Sequence, residues 1–154
     1  MSGYAHWIAG RLQNRLGPHV EMRKLGHVMP ENLFVFDVQA DERRRPDVAY
    51  FSAEQWPLDR PFPETGDWAI VPELTVEIIS PTDIFAQVLA KLEEYFDFGV
   101  KQVWLVVPNV RKMYIYDAPN QVRVLSDADT LDNTVVPGFT LKVGELFQEI
   151  RASH

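Results

Sequence analysis

The sequence predicts a mixed α/β fold in which helices flank one β-sheet, and three consecutive stretches support this prediction. Residues 73–79 alternate between two sets of side chains, as a β-strand does, and a helical stretch follows them and ends near Gly99. Residues 103–107 are continuously apolar, which is typical of a strand covered on both faces. A strand, a helix and a strand in this order predict a parallel pair of strands joined by a crossover helix.

The crossover helix is expected to begin at a capping side chain, Thr82 or Asp83, and to run to about Phe98. Its apolar positions predict a wide buried stripe, formed by Phe85, Val88, Leu89, Leu92, Tyr95 and Phe96. These positions place the helix against the sheet.

The remaining elements extend the sheet and its helical cover. Apolar residues at i+4 spacing predict a first helix from Gly3 to Leu16, which the Gly17-Pro18 pair should end. A proline-rich stretch at residues 55–68 predicts a long loop. Further strands are predicted at residues 33–38, 47–51, 112–116 and 121–125, and a closing helix at residues 144–150.

Length and composition narrow the class of protein. The 154 residues suit one domain, residues 1–154. The absence of cysteine excludes disulfides, thiolate zinc sites and cysteine nucleophiles. No apolar run is long enough for a membrane span, and no signal peptide is evident, so we expect a cytoplasmic protein without membrane contact. The net charge of −7 counts against nonspecific binding of DNA through a basic face.

Three residues that could take part in catalysis or bind a metal lie on these elements. Asp47 opens a strand after Pro46, Glu77 lies in a strand of otherwise buried type, and Lys91 lies on the following helix. A buried carboxylate costs several kcal/mol unless it is paired or binds a metal. Taken singly, each residue has an ordinary alternative. Glu77 would face water on an edge strand, Asp47 would be a strand-start residue, and Lys91 would be solvated.

Taken together, the three residues indicate metal-assisted chemistry. Two carboxylates from adjacent strands can hold Mg²⁺ (or Mn²⁺), and a nearby lysine can position the attacking water or stabilise charge on a phosphate. This hypothesis requires the carboxyl groups of Asp47 and Glu77 to lie within roughly 3–5.5 Å of each other. Glu73 lies four residues before Glu77, about 13 Å away along a strand, and is therefore a secondary candidate only.

Four stretches occur in order from about Pro46 to Phe147: RRPDVAYFS, PELTVEIISPTD, KLEEYFDFGVKQVWLVVP and VPGFTLKVGELF. In this order and spacing they resemble the Uma family of restriction-endonuclease-like proteins. The resemblance implies a restriction-endonuclease-like core of the PD-(D/E)XK nuclease superfamily. It covers about two-thirds of the chain.

The resemblance also implies site residues. Asp47 matches the aspartate of the PD motif and Glu77 the acid of the second strand, and the carbonyl of Ile78 would be a further metal ligand. Ile79 occupies the usual lysine position, and Lys91 on the next helix takes the place of that lysine. The sequence departs from the family pattern at Gln87, where an acid is common, and at Val107, where an aspartate is common.

Two functions of different classes follow. The leading prediction is a Mg²⁺-dependent endonuclease that cuts DNA, with a homodimer as a plausible way to cut both strands. The alternative is a catalytically inactive nuclease-fold domain that acts as a protein-interaction or nucleic-acid-binding module; the net charge, Gln87 and Val107 favour it. Three arginines just before Asp47 are expected either to contact DNA phosphates or to lie in a solvated loop: Arg43, Arg44 and Arg45.

Overall fold

A computed structural model describes residues 2–64 and 67–148 of the chain. The helices are α1 (Gly3–Met22), α2 (Phe85–Asp97) and α3 (Val143–Phe147). The strands are β1 (Gly26–Pro30), β2 (Phe34–Asp37), β3 (Glu42–Arg44), β4 (Val48–Ser52), β5 (Leu74–Ile78), β6 (Gln102–Val107), β7 (Lys112–Ala118), β8 (Gln121–Leu125), β9 (Thr130–Leu131) and β10 (Leu141–Lys142).

Six of these strands form one mixed sheet in the order β1-β4-β5-β6-β7-β8. Strands β5 and β6 are parallel and are connected by α2, whereas the other neighbouring pairs are antiparallel. The predicted mixed sheet with flanking helices, the parallel pair and the meander after it are therefore confirmed. The two other strand pairs, β2 with β3 and β9 with β10, lie outside this sheet.

Two hydrophobic clusters cover the two faces of the sheet. Alternate residues of β5 point to opposite faces of the sheet. Leu74, Val76 and Ile78 belong to the cluster that contains α1 and α3. The opposite face packs against α2, the β2–β3 hairpin and the loop that contains Trp56 and Trp68. The sheet is thus the middle of three layers, and β5 lies near its centre.

Helix α1 is longer than the sequence predicts, since it continues through Gly17-Pro18 to Met22. A proline in a helix interior costs about 3 kcal/mol. Val20 is fully buried, in line with Leu16 and Leu12 on the same helix face. Burial of one such side chain contributes roughly 1.5–3 kcal/mol, which offsets most of the cost of Pro18.

Helix α2 also differs from its prediction at the first turn. It begins at Phe85 after Ile84, and the carboxylate of Asp83 instead accepts a hydrogen bond from the Ser80 N–H at 2.7 Å. Phe85 is 75% exposed, and within the predicted stripe Leu92 and Tyr95 are the buried residues. The helix ends before Gly99, whose φ of 104° agrees with its predicted role as a stop.

The sequence did not predict the short strands β1, β3, β9 and β10. The closing helix begins at Val143, one residue earlier than predicted, and residues 149–150 of that prediction lie outside the described residues. Within the described residues, no helix combines the length and the apolar character that a membrane crossing requires.

Candidate active site

Glu77 lies on a central strand, because β5 is hydrogen-bonded to β4 on one side and β6 on the other. Its side chain projects from the face that packs against α2, and the residue is only 9% exposed. The alternative of a water-facing glutamate on an edge strand is therefore wrong. A carboxylate at this position needs partners, since burial without them is costly.

Asp47 reaches the same place from the neighbouring strand. The antiparallel ladder between β4 and β5 ends with the pair Val48–Val76. One residue further on, Asp47 Oδ2 accepts a hydrogen bond from the Ile78 N–H at 2.7 Å, so a side chain supplies the acceptor at this backbone donor. This contact brings the Asp47 carboxyl group beside Glu77.

Helix α2 supplies two further groups from adjacent turns of one face. Lys91 Nζ lies 2.9 Å from Glu77 Oε1. The hydroxyl of Tyr95 donates a hydrogen bond to the same oxygen. Residues four positions apart on a helix lie on one side, so both donors approach Glu77 from α2.

These groups line a cavity of about 420 Å³ between the sheet and α2. The predicted site residues that line it are Asp47, Glu77, Ile78, Gln87 and Lys91. The segment between β5 and α2 forms another part of its wall, including Ser80, Thr82, Asp83 and Ile84. The predicted metal ligands Asp47, Glu77 and Ile78 and the predicted catalytic Lys91 therefore all line one cavity.

Burial controls the protonation of the site. Burial raises the pKa of Glu77 from 4.5 to about 7; Asp47 also raises it, while Lys91 and Tyr95 act in the opposite direction. Burial likewise raises the pKa of Asp47, although the Ile78 N–H, Lys91 and a hydrogen bond with Glu77 lower it. Burial and the Glu77 carboxylate raise the pKa of Tyr95, so its hydroxyl remains a proton donor.

The oxygen atoms at the site are suitable ligands for a hard divalent cation. Asp47 and Glu77 line the same cavity, and in the described residues protein N–H and O–H donors reach one oxygen of each carboxyl group. The other oxygens, with the Ile78 carbonyl, are ligands of the type Mg²⁺ prefers. No group of three or more His, Cys, Asp or Glu suited to a metal occurs in the described residues, so water would complete the coordination.

The arginines before Asp47 are mostly engaged within the protein. Arg43 forms a two-contact ion pair with Asp67, at 2.5 and 2.7 Å, and Arg44 lies 2.6 Å from Glu94. Arg45 is exposed. Glu73 lies just before β5, at the opposite end from Glu77, and accepts a hydrogen bond from the Ser52 hydroxyl at 2.6 Å.

Sequence reasoning missed the polar role of Tyr95, which it assigned only to the apolar stripe of α2. A signal was present in the spacing, since Tyr95 follows Lys91 by four residues and therefore shares its helix face. A buried tyrosine usually finds a hydrogen-bond partner for its hydroxyl. The structure supplies this partner in Glu77.

Comparisons with known proteins agree with this architecture. Among proteins with curated descriptions, no match to the chain is found. The fold is similar to the crystal structure of a putative nuclease belonging to DUF820 from Anabaena variabilis ATCC 29413, with a TM-score of 0.79 and 19% sequence identity. The similarity covers 96% of this chain and 82% of that chain. Residues 1–144 match the family model Uma2, described as putative restriction endonuclease. The protein therefore belongs to the Uma2 family.

Proposed function

We propose that the protein is a metal-dependent endonuclease that hydrolyses phosphodiester bonds in DNA. One observation carries this proposal: Asp47, Glu77 and the amine of Lys91 converge on one cavity although they lie far apart in the sequence. The description of the family as restriction endonucleases supports the same reaction.

In this proposal, Asp47, Glu77 and the Ile78 carbonyl hold Mg²⁺ or Mn²⁺. The bound ion would supply charge neutralisation at the scissile phosphate and a more acidic water. The Lys91 side chain is 41% exposed and reaches the cavity from α2, so its amine is placed to bind a phosphate oxygen or to orient the attacking water. Burial of the two carboxyl groups strengthens their attraction for a cation.

A cleavage assay on supercoiled plasmid DNA with Mg²⁺ or Mn²⁺ tests the proposal. We expect the wild-type protein to nick the plasmid. Asp47→Asn and Glu77→Gln should each lower the rate by at least about 100-fold, because loss of a charged ligand should exceed the roughly 10–100-fold effect of losing a group that only orients a ligand. Glu73→Gln is the matched control, since it changes a buried glutamate at the other end of β5. Equal nicking by all four proteins would refute the assignment.

A homodimer is the second part of the proposal, because two active sites are needed to cut both strands in one binding event. Sedimentation of the protein with and without DNA measures the assembly. A dimer should convert supercoiled plasmid to the linear form. A monomer that produces only nicked circles would contradict this part and leave the cleavage chemistry intact.

A nuclease-fold module without catalysis is the second candidate. The internal pairing of Arg43 and Arg44 counts against phosphate contacts by these arginines, and so against a DNA substrate. Gln87 lines the cavity where an acid is common in the family pattern, which favours the second candidate as well. For this candidate, we expect DNA or protein binding that is unchanged by Glu77→Gln. The same variant therefore separates the two functions.

A further inference from the structure

We propose that Tyr95 is a positioning residue of the metal site, the fixed partner of Glu77, which allows Lys91 to leave Glu77 and bind the substrate phosphate. The inference rests on the proposed function and adds a division of labour between the two donors on α2. Both donors bind the same oxygen, Glu77 Oε1. Their surroundings, however, differ strongly.

Tyr95 is held in place by packing. The residue is 1% exposed and belongs to the core cluster between the sheet and α2. Its ring centroid lies 5.9 Å from that of Phe36 on β2. A large buried ring in a close-packed core has little room to turn, so its hydroxyl stays directed at Glu77.

Lys91 is free to move by comparison. Its side chain is 41% exposed and lies at the cavity, where a substrate phosphate would be bound. A lysine is a flexible chain with a compact charge, so its amine can reach a second partner without movement of the helix backbone. A phosphate in the cavity therefore competes with Glu77 for the Lys91 amine.

The exchange would be costly without Tyr95. A buried carboxylate oxygen that loses its last donor pays the desolvation cost of an unpaired group. With Tyr95 in place, Oε1 keeps one hydrogen bond after Lys91 leaves. The orientation of the carboxyl group is then preserved, and the other oxygen stays available to the metal.

The test measures Mn²⁺ binding by calorimetry, independently of cleavage. Tyr95→Phe removes the hydroxyl and keeps the ring. We expect its Kd for Mn²⁺ to rise by about 10-fold, the low end of the effect for groups that orient metal ligands. Tyr116→Phe on β7 is the matched control and should keep the wild-type Kd. Thermal melting of both variants checks that the fold is retained.

A double-variant cycle tests the division of labour. Lys91→Met should change the Kd by less than about 3-fold, because Tyr95 still holds Oε1 and a repelling cation is lost. In the Tyr95→Phe/Lys91→Met protein, Oε1 has lost both donors. The increase in Kd should therefore exceed the product of the two single effects.

Each outcome has a distinct meaning. A wild-type protein that binds no Mn²⁺ would refute the metal site, and the inference with it. Wild-type binding with an unchanged Kd in a folded Tyr95→Phe would refute the inference alone, as would strictly multiplicative effects. If Tyr95→Phe does not fold, the phenolic proton of Tyr95 in the wild-type protein decides by NMR. It should stay protected from solvent exchange in saturating Mg²⁺, and rapid exchange would refute the fixed hydrogen bond.

Discussion

At the scale of single residues, Glu77 is buried and therefore needs polar partners, which Lys91 and Tyr95 supply. The alternating pattern of residues 73–79 was enough to predict the side of the strand on which Glu77 lies, and the structure places it there. The contact with Tyr95 was not predictable in the same way, because it depends on how α2 is rotated about its axis. That rotation is set by packing against the sheet rather than by local sequence.

The raised pKa of Glu77 predicts a pH-dependent stability of the metal-free protein. The folded state keeps the Glu77 proton up to about pH 7, whereas the unfolded chain releases it near 4.5. The free energy of unfolding should therefore fall as pH rises between these values, by up to about 3 kcal/mol. Urea denaturation in EDTA across this range measures the slope. Glu77→Gln should flatten it, and an equal slope in the variant would contradict the assignment.

At the scale of elements, long periodic or apolar segments were predictable, and short strands were not. The β5–α2–β6 unit and the β7–β8 hairpin have strong patterns of their own. In contrast, β1 contains Gly26 and Pro30, and β3 consists of charged residues. Both compositions are typical of turns. These two segments are extended because β1 pairs with β4 and β3 pairs with β2.

Gly26 offers a test of the pairing between β1 and β4, the strand that directly follows Asp47. A Cβ atom at this position would lie 2.2 Å from the Phe51 carbonyl oxygen, a backbone atom that cannot move independently. Gly26→Ala should lower the free energy of unfolding by more than about 1 kcal/mol. Gly10→Ala in α1, where a Cβ meets nothing within 4 Å, should raise it by roughly 0.5–1 kcal/mol. Chemical denaturation of both variants measures the contrast, and a stable Gly26→Ala protein would contradict it.

At the scale of the whole molecule, the negative net charge opposes the binding of a polyanion such as DNA. The chain has a net charge of −7, and Arg43 and Arg44 are paired with acids. Under the proposed function, a bound divalent cation would supply the local positive charge that a DNA phosphate requires. The fold was predictable from the order of the motifs, and so was the meeting of Asp47, Glu77 and Lys91 at one cavity. The pairing of the two arginines was not, because it depends on Asp67 and Glu94, which are distant in the sequence.

Mg²⁺ should therefore stabilise the folded protein as a whole. At about 100 times its Kd, a ligand that binds only the native state adds about 2.7 kcal/mol, or roughly 5–10 °C in Tm for a chain of this size. Differential scanning fluorimetry with increasing Mg²⁺ measures the shift. Glu77→Gln should show little or none, while Tyr116→Phe should respond as the wild type does. A Tm of the wild type that is independent of millimolar Mg²⁺ would argue against the site.

The hydrogen bond from the Ile78 N–H to Asp47 has a consequence for how such a protein can change over time. The aspartate accepts this hydrogen bond and, under the proposed function, also offers an oxygen to a metal. An asparagine keeps the first property and weakens the second. Under the proposed function, a descendant with asparagine at this position would lose hydrolysis and retain its architecture. The fold and the proposed chemistry therefore depend on different properties of one side chain.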